Sequence, residues 1–513
     1  MCRNCLLNRR EFIGAAGMIS GALLAGQVAV SHADSKIPDH KWDPNAPMFH
    51  IGKALKVQPV LMYQNQPYRK LTSYKSWGSV HSEESAREEA GRIEQDINRM
   101  KKSADFSVEF MPLVIVSNPE EAKKIHEKDY DVLLLFAATG GGDWFRTCVP
   151  TAPEKDTIVF VRHRNGPLYY WYESLSDRYL KSTDDPQLQN NNADNHGPIT
   201  VEDVVVDETE EVVWRLRALH GLKNFIGHKV VAIGRAGGKY APDAPENCKT
   251  RFKQEIVEFP YDQFEKRYAK YRDDQGMMSK AEAWTDLYLK LPNTKLETER
   301  DFLVRAFLVY GIFKELLLEN NATTLTVLGC MGTMFEAANT TACMSLGWLN
   351  DEGYLGLCES DFVLVPAAVL MHQITNKPVF MHNSTFPHRG LVTCAHCASP
   401  RRMDGQHYNP MRIQTHYESD FGASPKVDFP IGQKVTFLDP HYSNPRWLTF
   451  TGEVQANPEF QICRSQQDVL IDGDWKKLKQ EARDSHWTMS FGDYKNEVEY
   501  ASRKIGVSCV RID

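Results

Sequence analysis

Between Lys56 and Cys358, short runs of β-branched and other apolar residues alternate with longer stretches of helical periodicity. No other feature narrows the fold as far, because strand and helix alternating at these intervals close as parallel sheets with crossover helices. Lys56–Tyr63 reads as a buried strand. Ser82 reads as a helix cap, with Glu83 and Glu84 in the first turn and Ala90, Ile93 and Ile97 at helical spacing. Phe106–Val116 follows as a second strand, Pro119–Glu127 as a helix, and Asp131–Ala138 and Thr157–Val161 as further strands. Together these predict an open α/β sandwich. Leu180–Asp203, polar and Asn-rich, predicts a linker or long surface loop.

A second α/β unit is predicted beyond it. Its parts are a helix over Thr209–Phe225, a strand over Lys229–Ile233, a long helix over Glu297–Glu319, a strand over Thr324–Leu328, a helical stretch over Met334–Asp351 and a strand over Tyr354–Cys358. Past Phe386 the texture changes to short extended runs, such as Lys434–Leu438 and Trp447–Glu453, between Gly, Pro and Asn turns. That is the pattern of an antiparallel sheet or small barrel. A terminal α/β piece over Glu481–Asp513 closes the chain. At 513 residues a division into several cores is required. The expected boundaries are 34–205, 206–385 and 386–513, with a cleft between the last two domains.

Residues 1–33 stand apart. Arg9 and Arg10, then Phe12, precede an apolar Gly/Ala-rich run that ends at Ser31-His32-Ala33. This segment resembles a twin-arginine export signal, although Asn8 and Gly14 replace the commoner flanking residues. A membrane anchor is the other reading, against which the run is shorter than the ~20 residues of a span. The resemblance implies the twin-arginine export machinery as a partner, a periplasmic or cell-envelope location, and a route that moves folded, often metal-loaded proteins. The segment carries three arginines and one glutamate, a net +2, so its removal takes the net charge from −7 to −9. With that balance and no basic tract, nucleic acid is not expected as a partner. Nine of the 11 cysteines lie beyond it, an odd number that does not suggest a complete disulfide framework.

Candidate chemistry gathers at strand ends. The glycine-rich stretches Ala138–Trp144 and Gly234–Gly238 each follow a strand, where open sheets bind ligands. Neither has the spaced glycines of a dinucleotide site, so turns are the simpler reading. CESDFVLVPAAVLMHQIT sets Glu359 and Asp361 at the end of a strand, and PVFMHN brings His382 and Asn383 to the end of the next. His388, Cys394, His396, Cys397, His407, His416 and Glu418 crowd the region that follows. Cys394-Ala-His-Cys397 has the spacing of half a zinc site but lacks a second pair, and buried thiols beside a pocket are the plainer expectation.

In order, CESDFVLVPAAVLMHQIT, PVFMHN, TCAHCASP, HYESDFGASPKVDFPIGQKVTFLDP and DSHWTMSFGDYKNEVEYASRKIGV resemble the catalytic half of the L-fucose isomerase and L-arabinose isomerase group, over roughly residues 324–510. The resemblance implies two α/β domains ahead of a β-rich one, a homo-oligomer, a sugar substrate and aldose–ketose isomerisation through an enediol stabilised by a divalent metal, usually Mn2+. Such chemistry needs a carboxylate near two adjacent carbons and a cation on their oxygens. By resemblance Glu359 is the metal-binding proton shuttle and His486 a metal ligand. The second ligating carboxylate falls where this chain has His382 and Asn383, which offer nitrogen or amide oxygen but no acid/base carboxylate. Asp361 either caps the following helix or substitutes for that carboxylate, and His372, inside the helix, reads as a core histidine. The alternatives are a sugar- or metal-binding relative without turnover, and a metal-dependent enzyme with different chemistry on sugars or polyols. A Cys397–His396 hydrolase is a remoter one.

Overall fold

The computed structural model describes residues 41–49, 52–65, 70, 80–140, 142–163, 199–442 and 445–513. The export-signal reading and most of the Leu180–Asp203 linker lie outside these residues. The backbone divides into two compact units, one over Lys53–Lys223 and the other over Asn224–Asp513 with the described residues before Lys53. Among the described residues no helix is long and apolar enough to cross a membrane.

The fold class is the one the alternation predicts: α/β units on parallel sheets, followed by an antiparallel barrel. In the first unit the strands are β1 (Leu55–Met62), β2 (Val108–Phe110), β3 (Val114–Val116), β4 (Val132–Ala137), β5 (Asp156–Val161) and β6 (Val204–Val206). All their pairings are parallel, in the order β2-β1-β4-β5-β6, with β3 also on β1. The single strand expected over Phe106–Val116 is split. Pro112 lacks an N–H to continue the ladder, so β2 pairs with one half of β1 and β3 with the other. The helix Glu83–Ser103 starts where expected, because Ser82 Oγ accepts the Ser85 N–H at 3.2 Å and Ser85 Oγ accepts the Ser82 N–H at 3.0 Å.

The second unit starts with another parallel sheet, ordered β11-β10-β7-β8. Its strands are β7 (Lys229–Ile233), β8 (Glu255–Phe259), β10 (Thr324–Val327) and β11 (Leu355–Cys358). The short β9 (Thr294–Leu296), just before the start expected for the long helix, pairs with β14 (Met411–His416). The helix itself runs over Arg300–Glu319. The expected helix over Met334–Asp351 is two, Thr333–Ala338 and Cys343–Glu352. Asn339 ends the first in the left-handed conformation at φ 52°, and Thr340 and Thr341 turn their hydroxyls to backbone carbonyls.

The remaining strands are β12 (Phe380–Ser384), β13 (Leu391–His396), β15 (Phe421–Val427), β16 (Lys434–Pro440), β17 (Arg446–Ala456), β18 (Ser465–Asp472), β19 (His486–Phe491) and β20 (Ser508–Arg511). Six of them, in the order β16-β19-β12-β13-β18-β17, close into an antiparallel barrel through the pairing of β17 with β16, and β20 adds to β17 in parallel. The barrel therefore begins before residue 386, with β12, and takes β19 from the expected terminal α/β piece. Its interior is aromatic. Phe437 stacks on Phe450 at 4.4 Å between ring centres, and Trp487 and Phe429 meet neighbouring rings edge-on. Each such buried ring contributes on the order of 2 kcal/mol by leaving water.

Candidate metal centre

In the second sheet the strand following β7 lies on one side of it and β10 on the other, so the order reverses between β7 and β10. Crevices outside the carboxyl ends of strands form at such reversals. The loops leaving β7, β10 and β11 converge here.

At the end of β11 the backbone turns sharply, with Glu359 at φ 61° and Ser360 at φ 50°. Two successive non-glycine residues in the left-handed region cost of order 1–3 kcal/mol each and persist where surrounding bonds enforce them. Those bonds are present. Ser360 N–H donates to Thr326 Oγ1 at 3.1 Å, Ser360 Oγ donates to Arg235 O at 2.8 Å, and Gly237 N–H donates to Ser360 O at 3.1 Å. The glycine stretch after β7 is thus a bed for Glu359–Phe362 rather than a phosphate cradle, and Gly238 is required because a Cβ there would lie 2.2 Å from Ala241 O.

The turn aims Glu359 between two imidazoles. Its Oε1 lies 3.5 Å from His396 Nε2, at the end of β13, and its Oε2 lies 3.4 Å from His486 Nε2, at the start of β19, and 3.5 Å from Lys239 Nζ. Both histidines are buried, whereas the Glu359 side chain keeps 34% of its exposure, so the centre is reached from the Glu359 side. Neither Nε2 atom makes a hydrogen bond. His486 Nδ1 donates to Asp361 Oδ2 at 2.7 Å, which fixes its ring and leaves Nε2 toward Glu359. The other Asp361 oxygen accepts the N–H groups of Lys239 at 2.9 Å and Val363 at 3.2 Å. Asp361 therefore orders the turn one step ahead of the helix Val365–Thr375, whose cap position is Leu364, and Pro366 falls in that helix's first turn.

Burial works against charge throughout this cluster, and the pairing overrides it. His486 is disfavoured as a cation by burial, but Asp361 and Glu359 raise it to about 9. His396 moves up in the same way, against its burial, through Glu359 and the nearby thiols. Burial would raise the Glu359 carboxyl, yet the two imidazoles hold it well below the usual carboxylate range. A carboxylate so stabilised is a poor base while the histidines carry protons.

The side chains of Glu359, His396 and His486 place one ligand atom each within 4.8 Å of one another, a group able to hold a metal ion. With bonds near 2.0–2.2 Å, ligand atoms on one cation stand about 3–3.5 Å apart, which matches the Glu359–histidine separations. His382 does not belong to this group. It lies inside the barrel between Phe437 and Trp487, with Nδ1 3.0 Å from Ser384 Oγ, and burial lowers it to about 3. Asn383 spends its amide on Ser485 O at 2.9 Å. His372 faces the carbonyls of Lys377 and Gly353 and takes no part.

Sequence reasoning missed His396 as a partner of Glu359, the Asp361–His486 pair and Lys239; it expected buried thiols at Cys394–Cys397 but not that Cys330, Cys343 and Cys358 gather with Cys397 behind the centre. Cys358 Sγ lies 3.2 Å from Cys330 Sγ, Cys397 Sγ lies 3.6 Å from His396 Nδ1, and two further metal-competent groups are Cys358–His396–Cys397 and Cys343–Cys397–His416. The density of Cys and His between Cys394 and His416 was the available signal. No protein-family model matches the chain, and no curated protein matches it.

Proposed function

We propose that the chain is a divalent-metal-dependent enzyme that interconverts aldose and ketose forms of a small sugar. The observation that carries this reading is the accessible Glu359 carboxylate set between the unbonded Nε2 atoms of His396 and His486. One oxygen and two imidazole donors suit manganese among other divalent ions. When bound, such an ion draws electron density from adjacent carbonyl and hydroxyl oxygens.

The protein's own groups supply the rest. Glu359 takes the proton from the carbon bearing the hydroxyl and returns it to the neighbouring carbon, while the hydroxyl proton passes between the two oxygens, so substrate and product have the same atoms. Lys239 places an ammonium beside the carboxylate and favours negative charge on the substrate oxygens. Asp361 keeps His486 in one orientation and acts through that ring. Export along the twin-arginine route and a homo-oligomeric assembly belong to the same proposal, and cell fractionation with sizing of the purified chain tests both.

A second reading, metal or sugar binding without turnover, is favoured by one observation. The position where the resemblance places a second acid/base carboxylate carries His382, enclosed in the barrel, and Asn383, bonded to Ser485. The deciding experiment incubates the manganese-loaded chain with aldopentoses and 6-deoxyhexoses in deuterated water. Ketose formation with deuterium at the exchanging carbon supports the enzyme. Sugar-dependent thermal stabilisation with no exchange supports the binding protein instead.

A further inference from the structure

We propose that Cys343, Cys397 and His416, with Cys463 as fourth ligand, hold a second metal ion of the zinc class, in a closed thiolate site distinct from the Glu359 centre. The three named first place their ligand atoms within 4.8 Å of one another and all are buried. Cys463, half-buried just before β18, interacts with the Cys397 thiol but stands outside that 4.8 Å group, so the proposal has it close onto the bound ion.

The four residues come from separate parts of the second unit. Cys343 opens the helix Cys343–Glu352, where free N–H groups favour a thiolate. Cys397 follows the last residue of β13, His416 ends β14, and Cys463 lies in the connection before β18. Apolar packing accounts for a single buried thiol. It does not account for several thiols meeting around an imidazole, a polar ring whose own Nδ1 has a long 3.4 Å approach to Ser419 Oγ.

Donor chemistry separates this site from its neighbour. Thiolate and imidazole select zinc-like ions, whereas carboxylate and imidazole alone leave the Glu359 centre open to harder ones. With Cys463 drawn in, three sulfurs and one nitrogen would fill a tetrahedral shell with no open position, the signature of a structural site. Its function would be to pin four chain segments of the second unit to one another. Because Cys397 adjoins His396, an ion on the Cys397 sulfur also fixes the strand end from which His396 reaches Glu359.

The test uses the full chain, purified reduced and metal-free, titrated with Co2+ and followed by absorption. The expected result is a sulfur-to-cobalt charge-transfer band that saturates at one equivalent, persists in Glu359→Gln, and shifts in its ligand-field region in His416→Ala. In Cys343→Ser combined with Cys397→Ser the band should be lost. Retention in Glu359→Gln keeps this site's outcome separate from that of the proposed enzyme centre. Cobalt bound without charge transfer in the unmutated chain overturns the proposal, as does a disulfide among Cys343, Cys397 and Cys463 in natively isolated protein. Both readings come from unmutated protein, so a variant that fails to fold does not shelter it.

Discussion

The two parallel sheets of this chain share a strand order, yet among the described residues only the second carries a side-chain group that could hold a metal ion at its reversal. In each, the first strand stands inside the sheet, its immediate successor lies on one side, and the chain then crosses to the other, giving equivalent reversals at β1/β4 and β7/β10. At the first reversal the described loop residues bond to and pack against one another. Thr139 Oγ1 donates to Val80 O at 2.6 Å and accepts the Gln64 N–H at 2.8 Å, and Gly140 lies so close to Met62 and Trp144 that a Cβ there would clash. At the second, the backbone is bent at Glu359 and Ser360, and histidines on barrel strands face the bend. A strand-end crevice is therefore only a place. What converts the second one is the barrel, which lays imidazoles over it.

That contrast can be broken by experiment. The largest expected effect is on turnover: Glu359→Gln should lower it by about 10³-fold, while Thr139→Ala at the first reversal should leave it unchanged. Comparable losses from both would erase the distinction. The next is a pH dependence that His228 contributes at the second sheet. His228 is buried, with Nδ1 donating to Asn224 O at 3.1 Å and Nε2 accepting from Thr324 Oγ1 at 2.8 Å, and burial lowers it to about 4. The unfolded chain takes up this proton below its ordinary value near 6.5, and the folded chain does not until about 4. The contribution of His228 is then complete above about pH 6.5 and falls by about 3 kcal/mol as pH drops toward 4. Denaturant unfolding at several pH values checks this, and an identical profile in His228→Gln refutes the assignment.

Asp361→Asn comes third. It keeps every ligand of the Glu359 centre but removes the negative partner of His486, so metal affinity should drop about 10–100-fold, measured by competition with a chelating dye. Unchanged affinity would make Asp361 a purely structural residue of its turn. The smallest effect is Thr139→Ala itself, a loss of about 1 kcal/mol from its hydrogen bonds with no change in bound metal. A fall in metal content would show that the first sheet contributes to the centre after all.

The architecture was legible because it rests on local patterns: apolar runs for the parallel strands, turn residues for the barrel, and Ser82 for the helix it caps. Errors occurred where one residue interrupts a pattern, as Pro112 divides a strand and Asn339 a helix, or where an element is too short to show periodicity, as with Thr294–Leu296. Glu359 and His486 were singled out by resemblance, and the structure sets them 3.4 Å apart. His396 was not, since nothing local distinguishes a ligand histidine from one in a cysteine-rich strand end. Its partner is named only when β13 and β19 close around β12. The thiol cluster was obscured for the same reason, as Cys343 and Cys463 are distant in sequence from Cys397.

The strand order β19-β12-β13 has a mechanical implication. His486 and His396 stand on strands flanking β12, so the gap their rings must bridge is set by two inter-strand spacings of about 4.8 Å, not by the length or motion of any loop. β12 works as a spacer bar between two jaws. Its side chains need not enter the cluster to govern the separation of the rings, and a one-residue slip in its ladder would displace the imidazoles without removing either from the sequence.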